Sequence, residues 1–158
     1  MTDISMQGAT LKLTGADGVS SVTFKDLSDD GTPLSFNAIQ PIRTSKTLNG
    51  KMLAWHGQVT PEFTLSVIPN SASDNKLRAL LLSSIVHPNG TLRELADVML
   101  TSAVLKIPGH RNSDGSSSSS QTYTFKAGFL VGGSSAIGTN GEGRMQTTPY
   151  TFQFEDVQ

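Results

Sequence analysis

Histidines are the first residues to consider for chemistry, because imidazole binds metals and transfers protons near neutral pH. The sequence has His56, His87 and His110, and no HExxH or similar metal-binding spacing relates them. The chain has no cysteine, which excludes thiolate zinc sites and disulfides. We interpret the three histidines as surface or turn residues and expect no metal ligand among them.

The sequence also lacks a motif for nucleophilic catalysis. Serine is abundant, but the G-x-S-x-G elbow that presents a catalytic serine does not occur. The Gly133-Ser134-Ser135 stretch lies in an expected loop with no helix after it. A Ser/His/Asp triad is recognised by its geometry, and chance neighbours mean little in a serine-rich chain. We predict no catalytic residue.

Two further patterns resemble chemical motifs without completing them. The glycine-rich segment 138–143 lacks the Gly-Lys-Ser/Thr ending of a phosphate loop and precedes a predicted strand, so its glycines are interpreted as turn residues. Two carboxylate pairs, Asp29 with Asp30 and Glu155 with Asp156, stand in loop or terminal contexts where solvated acids are usual. We therefore predict no cofactor and no enzymatic activity.

A loose basic group surrounds the single tryptophan. Arg43, Lys46 and Lys51 lie near Trp55, and a basic patch with an aromatic residue is one way to bind single-stranded nucleic acid. The whole chain has a net charge of −1 and only 16% charged residues, unlike proteins that grip phosphates. We favour an exposed hairpin that contacts a neighbouring subunit, with these four residues and Asn49 as the candidate contacts.

The elements that position these residues are mostly strands. Alternating polar and apolar residues predict strands at about 9–13, 20–25, 60–68, 103–107, 122–130 and 147–155, with a weaker extended segment at 36–43 that Pro41 interrupts. Segment 92–99 fits either a helical turn or a strand. The predicted inward residues are Leu11, Leu13, Val22, Phe24, Phe63, Leu65, Val67, Tyr123, Phe125, Ala127, Phe129, Tyr150, Phe152 and Phe154.

One helix is predicted at about 74–86, capped by Ser73 or Asp74. Its apolar stripe consists of Leu77, Leu80, Leu81 and Ile85. Extended loops are expected at about 44–57 and 109–121, the second containing five consecutive serines. The tally of six to eight strands predicts a mainly β protein: an antiparallel β-sandwich or barrel with one flanking α-helix, in a single domain over 1–158.

The N-terminus lacks the regions of a signal peptide, and no apolar run is long enough to span a membrane. We expect no membrane partner.

A more specific pattern begins at Trp55. A strand of alternating hydroxyl and aliphatic residues runs into a serine- and asparagine-containing stretch and then a short helix that begins with leucine. The residues that carry this pattern are Thr64, Leu65, Ser66, Val67, Ser71, Ser73, Asn75, Leu77 and Leu80. The pattern resembles the tail tube proteins of contractile-tailed bacteriophages, related to pyocin-type and type VI secretion tube proteins. The resemblance covers about residues 55–85 well and the rest in outline, and the serine loop departs from it.

The resemblance implies a β-sandwich or barrel of the tail tube type and a structural role in the virion. Six subunits would form a ring with a continuous inner β-barrel, and rings would stack into a tube inside a contractile sheath. Partners would be copies of the chain, the sheath, baseplate and neck proteins, and double-stranded DNA that passes through the lumen without specific binding. The protein would be made in the host cytoplasm and reside in the virion tail.

Two alternatives stay open at this point. The first is a neck, terminator or baseplate tube-initiator protein of the same fold. The second is a small β-rich hydrolase or carbohydrate-binding domain, for which a deep pocket with titratable groups of shifted pKa would speak.

Overall fold

The computed structural model of the protein describes residues 9–15, 22–24, 34–86, 88–90, 94–109, 113–117, 119–139 and 141–158. The elements in these ranges are β1 (Thr10–Gly15), β2 (Val22–Phe24), β3 (Leu34–Phe36), β4 (Ile42–Lys46), β5 (Met52–His56), β6 (Glu62–Val67), α1 (Ala72–Ser83), α2 (Leu95–Val98), β7 (Leu100–Ile107), β8 (Gln121–Gly133) and β9 (Thr148–Val157).

Seven strands form one antiparallel sheet in the order β2-β1-β7-β8-β9-β6-β3, and β4 pairs with β5 in a separate two-stranded sheet. The larger sheet curls into a half-barrel with one main helix, which confirms the predicted mainly β, antiparallel class. Within the described ranges, β2 and β3 lie at the two margins of this sheet and have one strand partner each. Both margins are only three residues long.

Alternation governs β6 and, from Thr148 to Phe154, β9, as the sequence predicts; after Phe154 both Glu155 and Asp156 are exposed. Phe63, Leu65 and Val67 are buried along β6, while the residues between them are half-buried. Phe63 stands opposite Phe152 and Leu65 opposite Tyr150, so the two apolar faces meet on the same side of the sheet. This side faces the interior because a strand with period two can bury only one of its faces.

Strand β8 departs from the predicted alternation. Phe125 is buried, and the next buried positions are Gly128 and Leu130. The expected inward placement of Tyr123 is wrong, since its side chain is exposed, and Ala127 is only half-buried; Phe129 is half-buried and packs against the core. Ala127 has φ +51°, in the left-handed region that a non-glycine residue rarely adopts. This conformation shifts the alternation by one residue, so both halves of β8 turn their buried side chains to the same interior.

The neighbouring strand β7 changes face at the same level. Leu100 is buried, and the next buried positions are Ala103 and Leu105. Leu100 pairs with Gly128 and Ala103 with Phe125, so the two changes of face lie side by side. One continuous core results, formed by Leu11, Leu13, Phe63, Leu65, Val67, Leu77, Leu80, Val98, Leu100, Ala103, Leu105, Phe125, Leu130, Tyr150, Phe152 and Phe154.

Helix α1 covers this core with Leu77 and Leu80. Its cap is Ser71, whose Oγ accepts from the Asp74 amide at 3.1 Å, and not Ser73 or Asp74 as expected. The helix ends at Ser83 instead of Val86. The hydroxyls of Ser83 and Ser84 both donate to the Leu80 carbonyl, and such side-chain competition for backbone acceptors ends helices.

Asp74 is fully buried and belongs to a hydrogen-bonded network. Its carboxylate accepts from the amide of Asn70 at 2.9 Å, from the hydroxyl of Tyr150 at 2.6 Å and from Arg78 Nη2 at 3.3 Å. Arg78 Nη1 also donates to the Ser134 carbonyl at 2.7 Å. A buried carboxylate is tolerated only with such partners, so the network anchors α1 to β9 and to the segment after β8.

Several boundaries differ from the predicted ones. The weak segment 36–43 is divided between β3 and β4, and 44–57, expected as a loop, is largely hairpin. Segment 92–99 contains the one-turn helix α2, and β7 begins at Leu100, before the predicted 103. In segment 109–121 the structure describes turns and a bridge at residues 113–117, followed by the start of β8.

Strand β2 pairs with β1 in the expected register, Leu11 opposite Phe24 and Leu13 opposite Val22. The predicted burial of Val22 and Phe24 concerns side chains outside the described part of the structure.

Gly128 provides a test of the change of face in β8. A Cβ at this position would overlap the carbonyl oxygen of Gln153 and the ring of Phe154. We expect Gly128→Ala to lower the free energy of unfolding by about 3 kcal/mol, as overpacked cores do. Gly141→Ala is the control, since a Cβ there meets nothing within 4 Å and should change stability by less than about 0.5 kcal/mol. Denaturant unfolding measures both, and equal effects would contradict the close packing at Gly128.

The buried Tyr150 hydroxyl should make the free energy of unfolding depend on pH in the alkaline range. Burial, together with the hydrogen bond and the negative charge of Asp74, raises the pKa of Tyr150 well above its usual range. The unfolded chain therefore releases this proton near pH 10 while the folded chain keeps it. The contribution to stability is complete below about pH 10 and decreases as the pH rises further.

We expect the unfolding free energy of the wild type to decrease more steeply above pH 10 than that of Tyr150→Phe. The exposed Tyr123 supplies the control, because Tyr123→Phe should retain the steep alkaline slope. Parallel slopes for the wild type and Tyr150→Phe in denaturant titrations would refute the coupling.

Candidate functional site

The β4–β5 hairpin stands apart from the main sheet. Five cross-strand pairs join its strands, from Ile42 opposite His56 to Lys46 opposite Met52. The Gly50 amide donates to the Thr47 carbonyl at 2.9 Å and the Thr47 amide to the Lys51 carbonyl at 2.9 Å. Gly50 has φ +79°, which glycine adopts without strain, so the Asn-Gly sequence closes this turn.

Every residue of both hairpin strands is exposed, on both faces. Large apolar side chains are among them: Met52 is 65% exposed, Trp55 is 49% exposed, and Leu48 at the turn is 107% exposed relative to its reference. A two-stranded hairpin is only marginally stable in water, and contiguous exposed apolar surface usually marks an interface. The exposed apolar side chains make the hairpin a candidate interface.

The hairpin is also basic. Residues 31–61 contain Arg43, Lys46 and Lys51 but no aspartate or glutamate, a net charge of +3. The whole chain has twelve Lys and Arg and thirteen Asp and Glu, so nine basic and thirteen acidic residues stand elsewhere, a net charge of −4. We call the β4–β5 hairpin, residues 42–56, the arm and the rest of the molecule the body. The arm and the body thus carry net charges of opposite sign.

The five residues predicted as contacts all lie in this hairpin. Arg43 stands directly opposite Trp55, Lys46 ends β4, and Asn49 and Lys51 are in the turn segment. The structure brings them together in one arm, while their contact with another subunit stays a prediction.

Sequence reasoning missed the apolar members of the arm, Leu48, Met52 and Leu53. Their signal was the apparently poor alternation around Asn49. That irregularity has a structural reason: both faces of the hairpin carry apolar side chains, because neither face packs on the body.

Asn37 fixes the base of the arm. Its amide donates to the Glu62 carbonyl at 3.0 Å, its Oδ1 accepts from the Glu62 amide at 2.8 Å, and its Nδ2 donates to the Thr60 carbonyl at 3.2 Å. These bonds join the segment that leads into β4 to the segment that leaves β5. The arm therefore leaves the body at a defined place beside the start of β6.

An open apolar pocket lies at the same place. Its volume is about 210 Å³, and it is lined by Phe36, Asn37, Ile39, Pro61, Glu62, Leu105, Tyr123, Phe125 and Val157. The rings of Phe36 and Phe125 stack with centroids 5.7 Å apart, and Phe36 is 47% exposed. We call this the mouth pocket, because it opens where β7, β8 and β9 reach one end of the half-barrel.

The motifs weighed for chemistry take structural roles where they are described. Thr139 and Met145 form a bridge, and the glycine-rich loop leads into β9. Both carboxylate oxygens of Asp156 accept local hydrogen bonds, from the Val157 amide and the Gln158 side chain. His56 is an exposed member of β5. His87, His110, Asp29 and Asp30 lie outside the described residues.

The described ranges contain no group of three or more His, Asp or Glu side chains placed to hold a metal ion. Nor does any helix in them have the length and apolar character needed to cross a membrane.

Comparison with known proteins identifies a family. A family model described as tail fiber protein gp32 matches residues 2–158. None of the curated proteins compared matches the chain.

Nine chains of solved structures match. The tube-terminating cap of the anti-feeding prophage is 15% identical, with TM-score 0.47, over 100% of this chain and 91% of that chain. A crystal structure of an Hcp protein is 9% identical, with TM-score 0.44, over 94% and 89%. The Hcp1 protein of E. coli EAEC 042 is 16% identical, with TM-score 0.41, over 95% and 88%.

The family match confirms the resemblance to bacteriophage tail proteins that the sequence indicated. Since it extends over residues 2–158, the chain belongs to the family of tail fiber protein gp32.

Proposed function

We propose that this phage tail protein is a polymerising subunit of the inner tail tube. Six copies form a ring, rings stack into a tube, and the tube is the conduit through which DNA is ejected into the host. The chain acts as a single domain without enzymatic activity. Its partners are its own copies, the tail sheath, and the baseplate and neck proteins, and after synthesis in the host cytoplasm it resides in the virion tail.

The observation that carries this proposal is the exposed β4–β5 arm. All ten residues of its two strands are exposed in the isolated chain, and each face of the hairpin carries apolar side chains among them. Burial of apolar surface stabilises by roughly 25 cal/mol per Å², so covering the arm favours association. Two apolar faces fit a position between neighbours better than a position against one flat surface.

The open sheet supports assembly through repeated copies. Within the described ranges, β2 and β3 lie at the sheet margins and have one strand partner each. Strand margins carry backbone groups that can pair with another chain. A head-to-tail contact between two different margins closes into a ring when the rotation between copies allows it. We propose that such pairing joins the half-barrels of six copies into one inner barrel.

The outward face of β6 and β9 suits a DNA conduit. Apart from Pro149, its side chains carry hydroxyls, amides or carboxylates. Thr64 Oγ1 lies 3.4 Å from Thr151 Oγ1, and Gln153 Nε2 donates to Glu62 Oε2 at 2.7 Å. No lysine or arginine occurs in either strand. Phosphates are held by basic side chains through counterion release, so a lumen lined by this face lets the duplex slide.

The description of the family favours a second candidate, a component of a tail fibre. Particle composition separates the two, since a tube protein is among the most abundant virion proteins. A low copy number together with an elongated, non-annular assembly would favour the fibre.

Assembly itself is the first test. We expect concentrated protein to form sixfold rings and hollow tubes in negative-stain electron microscopy, with matching large species in sedimentation velocity. Persistent monomers at every concentration, also beside a tube initiator, would overturn the proposal. The double variant Leu53→Ser/Trp55→Ser should weaken association by at least about tenfold, because it removes apolar surface from one face of the arm. Leu95→Ser, at a still more exposed apolar site outside the arm, should leave association unchanged.

The single tryptophan reports on the arm directly. Trp55 is half exposed in the isolated chain, and covering its indole removes water from it. We expect the fluorescence emission to shift to shorter wavelength on assembly and to return on dilution to monomers. An assembled fraction with unchanged emission would show that the arm stays in water.

A further inference from the structure

We propose that the tip of the arm of one copy inserts Leu48 into the mouth pocket of a second copy. This inference rests on the proposed self-assembly and names the surfaces that meet. The tip and the pocket are different parts of the same chain, so the contact is head-to-tail. Such a contact repeats from copy to copy and therefore builds a polymer or a closed ring.

The pocket has the chemistry of a receptor for an aliphatic side chain. Its walls combine the stacked rings of Phe36 and Phe125 with Leu105 and Val157. Phe36, Ile39 and Tyr123 at its rim are exposed in the isolated chain, so an occupant would remove their apolar surface from water together with its own.

Leu48 is a side chain without a cover in its own chain. Its side chain is fully exposed to solvent because it occupies the apex of a turn that projects from the body. The tight turn, closed by the Thr47–Gly50 and Thr47–Lys51 hydrogen bonds, holds the leucine at a fixed place. A turn whose backbone is already hydrogen-bonded loses less conformational freedom on docking than an open loop, which favours its apex residue as an anchor.

The charges beside the two surfaces are complementary. Lys46 and Lys51 flank the tip, and residues 31–61 contain no acid. Glu62 lines the pocket, and Glu155 and Asp156 immediately precede the lining residue Val157. Two lysines also lie nearby: Lys126 stands opposite Asp156 in the β8–β9 ladder, and Lys106 follows Leu105. We therefore assign the pairing with the tip to Glu62, which lines the pocket and whose Oε2 also accepts from Gln153 Nε2 at 2.7 Å.

The occupant has to come from a second copy. Five cross-strand pairs separate the tip from the base of the arm, a length of roughly 15 Å at strand geometry. The mouth pocket lies at that base, where Asn37 ties both ends of the arm to the body. The arm of the same chain therefore points away from its own pocket.

Cysteine cross-linking tests the contact in the full chain, which has no native cysteine. We expect Leu48→Cys mixed with Ile39→Cys to give a disulfide-linked heterodimer under mild oxidation, because a disulfide requires Cα atoms within about 7 Å. Val131→Cys is the control, exposed at the opposite end of β8 from Phe125, and should not link to Leu48→Cys. Predominant Leu48–Leu48 linkage, or equal linkage to Val131→Cys, would overturn the head-to-tail contact.

A charge at the tip gives an independent readout. Leu48→Asp should weaken association about 10- to 100-fold, the effect of losing one buried leucine, while the monomer unfolds as the wild type does. Val131→Asp should assemble normally. If the wild type assembles and Leu48→Asp assembles equally well, this contact is refuted and the tail tube function stands. If the wild type stays monomeric, both proposals fail.

Discussion

The change of face at Ala127 and Gly128 is the constraint on which the rest of the structure depends. Ala127 adopts φ +51°, and Gly128 leaves room for the ring of Phe154. As a result, β8 buries an odd-numbered residue before Ala127 and even-numbered residues after it. A strictly alternating strand of this length would turn one end of its apolar face to water. With the change, and its counterpart in β7, the sheet curls around one core.

The curl also creates the features on which the proposed function rests. At one end of the half-barrel, residues of β7, β8 and β9 line the mouth pocket, and the Asn37 hydrogen bonds place the arm beside it. At the other end, the buried Asp74–Arg78–Tyr150 network holds α1 on the core and ties down the segment after β8. A rigid body with anchored ends can present an arm and a pocket in a constant relative position.

Stability and association are divided between two parts of the chain. The body buries a continuous apolar cluster, whereas the arm exposes apolar side chains and carries the opposite net charge. The arm gains little from folding alone, because a free hairpin buries too little surface. In the proposed assembly its structure is favoured once copies meet, so folding of the subunit and growth of the assembly would depend on different residues.

Much of the fold could be predicted from the residues themselves. The strands β1, β6 and β9, the helix with Leu77 and Leu80, and the antiparallel class all follow from alternation and helical spacing, which hold whatever the partner is. The predicted contact residues from Arg43 to Trp55 do lie in one segment, since the Asn-Gly turn folds locally. The helix cap was misplaced because Ser71, Ser73 and Asp74 are equivalent as residue types, and only the backbone decides which one accepts.

The tertiary structure alone decided the inward face of β8, the role of Asp74 and the position of the mouth pocket. A positive φ at an alanine is imposed by packing, a buried carboxylate is defined by distant donors, and a pocket is assembled from residues far apart in the chain. The sequence by itself determined which segments are extended and which class of fold they form, because side-chain periodicity is a local property. Where those segments curl, and which apolar surface is left exposed, depends on long-range packing that no local pattern contains.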